Sequence, residues 1–144
     1  MKIEKTGNIY PNIYRFNLGN FEITTLLDGL VQRDGPHPIF GQNKEEKDVH
    51  QLCKKNFLPE KKFEHGFTPI IINTGKELIL FDTGNGKLNE DHGKLIDLIE
   101  FSGYRHQDIS KIVITHCHPD HIGGLMFIED GYFENASIII GEVE

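Results

Sequence analysis

The sequence predicts an α/β domain in which a mixed sheet carries helices on one face. Three observations lead to this fold class. The first half of the chain is rich in short runs of β-branched and aromatic residues, which are typical of strands. The second half alternates strand-like and helix-like segments in the order β-α-β-α-β. The length of 144 residues, with 38% hydrophobic and 26% charged residues, suits one soluble globular domain.

Two strands are predicted first, at residues 13–19 and 21–27, because β-branched and aromatic residues dominate both runs. Segment 33–43 contains glycine and proline breakers and is predicted to be a loop. Segment 44–58 is predicted to be a helix, because its acidic residues come early and its lysines late, as the helix dipole favours. The charged segment 59–65 is predicted to be a solvated connector.

The second half is predicted to contain further strands and helices. Two strands rich in isoleucine and leucine are separated by a short turn at Thr74 and Gly75, and this spacing favours a hairpin. Leu95, Leu98 and Ile99 are spaced i, i+3 and i+4, which predicts a helix, and Gly103 lies at its predicted end. A buried strand, a short helix and a last strand complete the fold. These elements are placed at 67–75, 77–84, 89–104, 108–115, near His121 and at 136–144.

Composition limits the classes of function. A formal net charge of −7 argues against binding to a phosphate backbone as the main task, so a nucleic-acid partner is not expected. The start of the chain lacks the apolar core of a signal peptide, and no apolar run is long enough to span a bilayer. Cys53 and Cys117 are expected to be free thiols in a reducing cytoplasm.

The segment Thr115–Gly124, THCHPDHIGG, concentrates four possible metal ligands directly after a predicted buried strand. His116 and His118 are two residues apart, and in extended backbone such side chains point the same way, so both imidazoles can approach one ion. Pro119 then turns the chain, so that Asp120 and His121 are better placed to bind a second ion than to bind the first.

Imidazole nitrogen and carboxylate oxygen are ligands that zinc accepts, and iron, manganese or cobalt are compatible with the same types. Gly123 and Gly124 permit another backbone segment to approach closely behind the loop. A polar surface loop that happens to contain histidines is the alternative. Four ligand-type residues at this spacing behind a buried strand disfavour it.

The motif HCHPDH resembles the H-x-H-x-D-H signature of the metallo-β-lactamase superfamily. The upstream run ELILFDTG resembles the strand of that family that ends in D-T-G. FEITTLLDG resembles the opening strand of the branch that contains methyl parathion hydrolase and several acyl-homoserine lactonases. The resemblance covers nearly the whole chain but only about the first half of a family member. Residues 1–144 are therefore expected to form the N-terminal half of an αββα sandwich, with a mixed, mostly antiparallel sheet.

The resemblance also implies a site. His116 and His118 would bind the first metal ion, and Asp120 and His121 the second. Asp82 would accept the other N–H of a ligating histidine and fix its tautomer. The alternative for Asp82 is a simple turn residue. His65 could line a substrate cleft, but such a residue is more often simply exposed, and it is left out of the predicted site.

The implied activity is hydrolysis of a lactone, an ester or an organophosphate ester through a hydroxide held by two zinc ions. Asp120 would orient the nucleophile and carry a proton to the leaving group. Relatives supply a third histidine, a bridging aspartate and a last histidine downstream of the signature, whereas no histidine follows His121 here.

That difference leaves three interpretations open: an enzyme whose second half lies outside this sequence, an assembly of chains that rebuilds the site, or a non-catalytic metal-binding or interaction module. Half of a sandwich would also leave one apolar sheet face uncovered. A homo-oligomer packed through that face is therefore expected unless a C-terminal half covers it.

Overall fold

The computed structural model describes residues 11–87 and 93–144. Within them, a six-stranded sheet has the order β1-β2-β5-β6-β7-β8, and β3 and β4 form a separate two-stranded sheet. The strands are β1 Ile13–Leu18, β2 Phe21–Leu26, β3 Gly29–Asp34, β4 Lys62–Phe67, β5 Ile70–Asn73, β6 Leu78–Phe81, β7 Ile109–Ile114 and β8 Ser137–Ile140. The α-helices are α1 Glu46–Lys55, α2 Leu95–Phe101 and α3 Pro119–Ile122, with 3₁₀ turns at His106–Asp108 and Gly123–Ile128.

The main sheet is mixed, which confirms the predicted fold class. Strands β1, β2, β5 and β6 pair antiparallel, whereas β7 pairs parallel with β6 and β8 parallel with β7. A parallel pair needs a crossover connection, and the segment that contains α2 provides it between β6 and β7. The carboxyl ends of β6 and β7 therefore lie side by side at one edge of the sheet.

One face of the main sheet is covered and the other is partly open. Leu95, Leu98 and Ile99 of α2 are buried in one cluster with the inward residues of the sheet, such as Leu80 and Ile112. The helical periodicity of α2 and the two-residue periodicity of the strands place these side chains on facing surfaces. The opposite face carries apolar side chains that are only half-buried. They are Ile70, Ile72, Ile79, Phe81 and Val113.

The two-stranded sheet of β3 and β4 was not predicted, and the expectation of a solvated connector at 59–65 is wrong from Lys62 onward. In β4 exposed and half-buried residues alternate strictly, with Phe63, His65 and Phe67 on the half-buried face. The charged residues Lys61, Lys62 and Glu64 around them hide this period-two pattern when composition alone is considered. The strand predicted at 67–75 is also shorter than expected. Phe67 belongs to β4, and β5 begins only after Pro69.

The predicted helices are present but shorter than expected. The helix predicted at 44–58 is α1, which ends at Lys55, and Phe57 beyond it has a φ of 58°. Of the helix predicted at 89–104, residues 89–92 lie outside the described residues, and α2 occupies Leu95–Phe101. No helix in the described part of the chain is both long enough and apolar enough to cross a membrane.

Candidate metal centre

Two loops at one edge of the main sheet build the candidate site. The first follows β6 and begins with Asp82, and the second follows β7 and contains the histidine-rich motif. The N–H of Asp82 donates to the carbonyl oxygen of Val113, at 2.9 Å, so the two strands remain paired up to the loops. Because β6 and β7 are parallel neighbours, their carboxyl ends bring both loops together.

The imidazoles of His116 and His118 lie against each other. Their Nε2 and Nδ1 atoms, respectively, are 3.1 Å apart. His118 precedes α3, and Pro119 occupies the first turn of that helix, where its missing N–H costs nothing. The i, i+2 spacing followed by the proline turn therefore brings the first predicted pair together.

The second predicted pair also lies close. Oδ2 of Asp120 is 3.3 Å from Nε2 of His121. The ring of His121 is adjacent to that of His116, with centroids 3.8 Å apart, so the two pairs are neighbours in one cluster. Both Asp120 and His121 are about a quarter exposed, at 27% of each side chain, so this pair can be reached from solvent.

The separations within these pairs fit metal coordination. Two atoms bound to one tetrahedral zinc ion at about 2.0–2.2 Å lie roughly 3.3–3.6 Å apart. The separation of 3.1 Å between His116 and His118 and that of 3.3 Å between Asp120 and His121 each approximate one such edge. Among residues 11–87 and 93–144, however, no three His, Cys, Asp or Glu side chains form a group that could hold one ion. Each pair thus supplies two ligands, and a catalytic zinc normally takes three from protein.

Asp82 organises both loops. Its Oδ2 lies 2.8 Å from Nδ1 of His121, and its Oδ1 accepts hydrogen bonds from the N–H of Thr115, at 2.8 Å, and from the Thr115 hydroxyl, at 3.0 Å. A carboxylate accepts hydrogen bonds and does not donate them. The proton of a neutral His121 ring therefore lies on Nδ1, and Nε2 remains as the ligand atom beside Asp120.

Thr115 was not predicted as a site residue. Its hydroxyl oxygen lies 3.1 Å from Nδ1 of His116 and within hydrogen-bond distance of Asp82. It therefore connects the carboxylate to the first histidine, whose Nε2 faces His118. Its position immediately before the motif was the only signal available in the sequence.

The two loops are packed backbone against backbone. Both the N–H and the hydroxyl of Thr83 donate to the carbonyl oxygen of His121, at 2.7 and 2.9 Å. A Cβ atom added at Gly124 would lie 2.1 Å from the carbonyl oxygen of Thr83, and one at Gly123 would lie 2.4 Å from that of Asn85. Glycine is required at these positions for the loops to approach.

A small cleft of about 110 Å³ opens beside the second pair. Asp82, Asp120 and His121 line it together with His65 and Phe67 of β4. The rings of His65 and Phe67 stack with centroids 4.8 Å apart. His65, which was considered as a cleft residue but left out of the predicted site, therefore lines this cleft, because the unpredicted strand β4 brings it there.

Comparison with known proteins connects this geometry to one superfamily. Residues 68–136 match the family model of the metallo-beta-lactamase superfamily, and this range includes Asp82 and the whole histidine-rich motif. Ribonuclease Z of Pyrococcus furiosus is 37% identical over 65 residues, which are 45% of this chain and 19% of that protein.

Two solved structures are similar over almost the entire chain. The dizinc quorum-quenching lactonase AidC, in complex with an acyl-homoserine product, has a TM-score of 0.81 and 30% identity over 92% of this chain and 46% of its own. The hydrolase AbOPH, of the beta-lactamase superfamily, has a TM-score of 0.75 and 30% identity over 91% of this chain and 45% of its own. The chain thus has the metallo-β-lactamase fold and spans about half the length of these structures.

Proposed function

We propose that this chain is the metal-binding portion of a hydrolase of the metallo-β-lactamase superfamily, and that the complete site cleaves a lactone, an ester or an organophosphate ester. The observation that carries the proposal is the arrangement of two donor pairs beside an aspartate that orients one of their histidines. The match of residues 68–136 to the superfamily and the similarity to a lactonase and a second hydrolase support it.

His116 and His118 would hold one ion, and Asp120 and His121 the other. We favour zinc because imidazole and carboxylate suit it, although iron, manganese or cobalt would accept the same ligands. When bound, such ions activate a water molecule near neutral pH and polarise the oxygen atom that gains charge. The remaining ligands would come from a C-terminal half or from another chain.

The side chains of this chain would then have distinct tasks. Asp82 keeps the proton of His121 on Nδ1, so that Nε2 remains available beside Asp120. The Asp120 carboxylate would accept a proton from the attacking water and deliver it to the leaving group, as a general acid–base residue does. His65 and Phe67, which line the same cleft, would contact the substrate.

The net charge of the chain favours a substrate of low negative charge. A charge of −7 disfavours long polyanions. A lactone, an uncharged ester or a phosphotriester meets this condition, and a cytoplasmic location would suit a chain with two free thiols.

Asp120→Ala is expected to lower metal-dependent hydrolysis by at least about a hundredfold, because a general acid–base residue typically contributes a factor of about 10²–10⁴. The measurement is kcat/KM on a lactone, an aryl ester, a phosphotriester and a β-lactam, with added zinc and again with a chelator. Asp97→Ala, which removes an exposed carboxylate from α2, is the matched control. Activity that survives chelation or Asp120→Ala would refute the mechanism. The absence of activity on all four substrates would favour the alternative of a non-catalytic module.

Self-association is a second expectation for the isolated chain. The half-buried isoleucine and phenylalanine side chains on the open face of the main sheet form a contiguous apolar surface. We propose that a second copy packs on this face, because a two-fold axis makes one patch self-complementary. Sedimentation at micromolar concentration is expected to show a dimer or a larger oligomer. Ile72→Lys, in the middle of the face, should shift the chain toward monomer, and a wild-type chain that sediments as a monomer would contradict the proposal.

A further inference from the structure

Asp28 is a buried carboxylate that the proposed chemistry does not use. It lies between β2 and β3 with no exposed surface. Its Oδ2 accepts hydrogen bonds from the N–H of Asn85, at 2.9 Å, and from the Asn85 side-chain amide, at 3.4 Å. Its Oδ1 is buried without a hydrogen-bond partner in the described part of the chain. A buried carboxylate that is only half satisfied costs stability, so its presence calls for an explanation.

The partners of Asp28 belong to the loop that presents Asp82. Besides the bonds to Asn85, a Cβ atom built at Gly84 would lie 2.5 Å from Oδ2 of Asp28. The carboxylate is therefore packed directly under the loop as well as bonded to it. Asp28 and Asn85 are 57 residues apart in sequence, so this contact joins distant parts of the chain.

Asp28 anchors the loop where Asp82 has a left-handed backbone conformation. The φ of Asp82 is 59°, in a region that residues other than glycine adopt infrequently, aspartate more readily than most. Such a conformation persists only when the surrounding structure determines it from several sides. Thr83, bonded to the carbonyl oxygen of His121, holds the loop from one side, and Asp28 holds it from the other.

Asp28 also connects this loop to β4, which lines the cleft. Its own N–H donates to the carbonyl oxygen of Phe67 in β4, at 2.8 Å. The same residue thus contacts β4 through its backbone and the Asp82 loop through its side chain.

We infer that Asp28 is a positioning residue: through Asn85 and Gly84 it keeps the Asp82 carboxylate on Nδ1 of His121 and so sets the tautomer that leaves Nε2 beside Asp120. The importance of this tautomer for activity rests on the proposed function. The tautomer itself is a property of the metal-free chain and is measured without any assay of hydrolysis.

The test is a long-range ¹H–¹⁵N spectrum of the imidazoles in the metal-free full chain, recorded where histidine is neutral. Asp28→Ala is expected to reduce the ratio of the Nδ1–H to the Nε2–H form of His121 by about tenfold, the effect of losing one good hydrogen bond to a charged group. Asp28→Asn is expected to preserve the wild-type ratio, because its amide oxygen can still accept from the Asn85 N–H. Thr24→Val is the matched control, since Thr24 is equally buried in β2 but contacts Arg15 instead of the loop.

Each outcome decides the question. A shifted ratio in Asp28→Ala, with wild-type ratios in Asp28→Asn and Thr24→Val, supports the inference. An unchanged ratio in folded Asp28→Ala overturns it, as does an equal shift in Thr24→Val, which would show only general loosening. If Asp28→Ala does not fold, Gly84→Ala disturbs the same contact from the loop side, and an unchanged ratio there overturns the inference. Failure of all hydrolysis assays would count against the proposed function in favour of a non-catalytic module, and it would leave the measured tautomer ratios unaffected.

Discussion

His116→Ala combined with His118→Ala is expected to abolish zinc binding at the first donor pair. Their ring nitrogens are 3.1 Å apart, close to one edge of a zinc tetrahedron, so removing both would leave the first ion no ligand from this pair. Complete structural zinc sites bind with about 10–16 kcal/mol, and a site with two of its ligands should fall well short of that. We therefore expect weak binding by the isolated wild-type chain, measured by calorimetry with zinc chloride, and a lower stoichiometry for the double variant.

The control for this experiment is His37→Ala combined with His50→Ala. It removes two histidines that contact Lys44 and Glu46 instead of the candidate site, so zinc binding should match that of the wild type. Tight stoichiometric binding by the wild-type monomer would contradict the idea that each pair is an incomplete ligand set. Equal binding by the two double variants would show that zinc binds elsewhere on the chain.

The features that the sequence predicted correctly depend on local patterns. Runs of β-branched residues predicted the main strands, because a buried strand needs such side chains wherever it lies in the sheet. The i, i+2 spacing of His116 and His118, followed by the turn at Pro119, predicted that these side chains lie close together. This prediction is also local, because the geometry is set within a few residues. The structure places these donors side by side, while their binding of metal stays a prediction.

The features that were missed depend on contacts between distant segments. His65 reaches the cleft only because β4 pairs with β3, and the charges around it masked the alternation of the strand. Asp28 supports the site through its contact with Asn85, which is 57 residues away in sequence. No local sequence pattern predicts such a contact. Thr115 is intermediate, because it adjoins the motif but acquires its role from Asp82 on the neighbouring strand.

Gly124→Ala is expected to destabilise the fold by about 3 kcal/mol or more and to separate the two loops of the candidate site. The added Cβ would lie 2.1 Å from the carbonyl oxygen of Thr83 and 2.9 Å from its Cβ, distances that require backbone to move. Overpacking against side chains typically costs about 1–3 kcal/mol, and a rigid backbone contact belongs at the upper end. Loss of chain entropy in the unfolded state would favour alanine by only about 0.4–1 kcal/mol, so the steric cost prevails.

Gly141→Ala is the matched control, because its Cβ would meet nothing closer than a glutamate side-chain carbon at 3.7 Å. Urea unfolding of both variants gives the comparison, with the midpoint and the slope fitted together so that a change in stability is separated from a change in compactness. The Gly141 variant should remain within about 0.5 kcal/mol of the wild type, as surface substitutions usually do. The loss in the Gly124 variant should come with weaker zinc binding, since Thr83 would no longer reach the carbonyl oxygen of His121. A Gly124 variant as stable as the control would mean that the loops do not pack backbone against backbone, and the support for Asp82 and His121 would have to come from elsewhere.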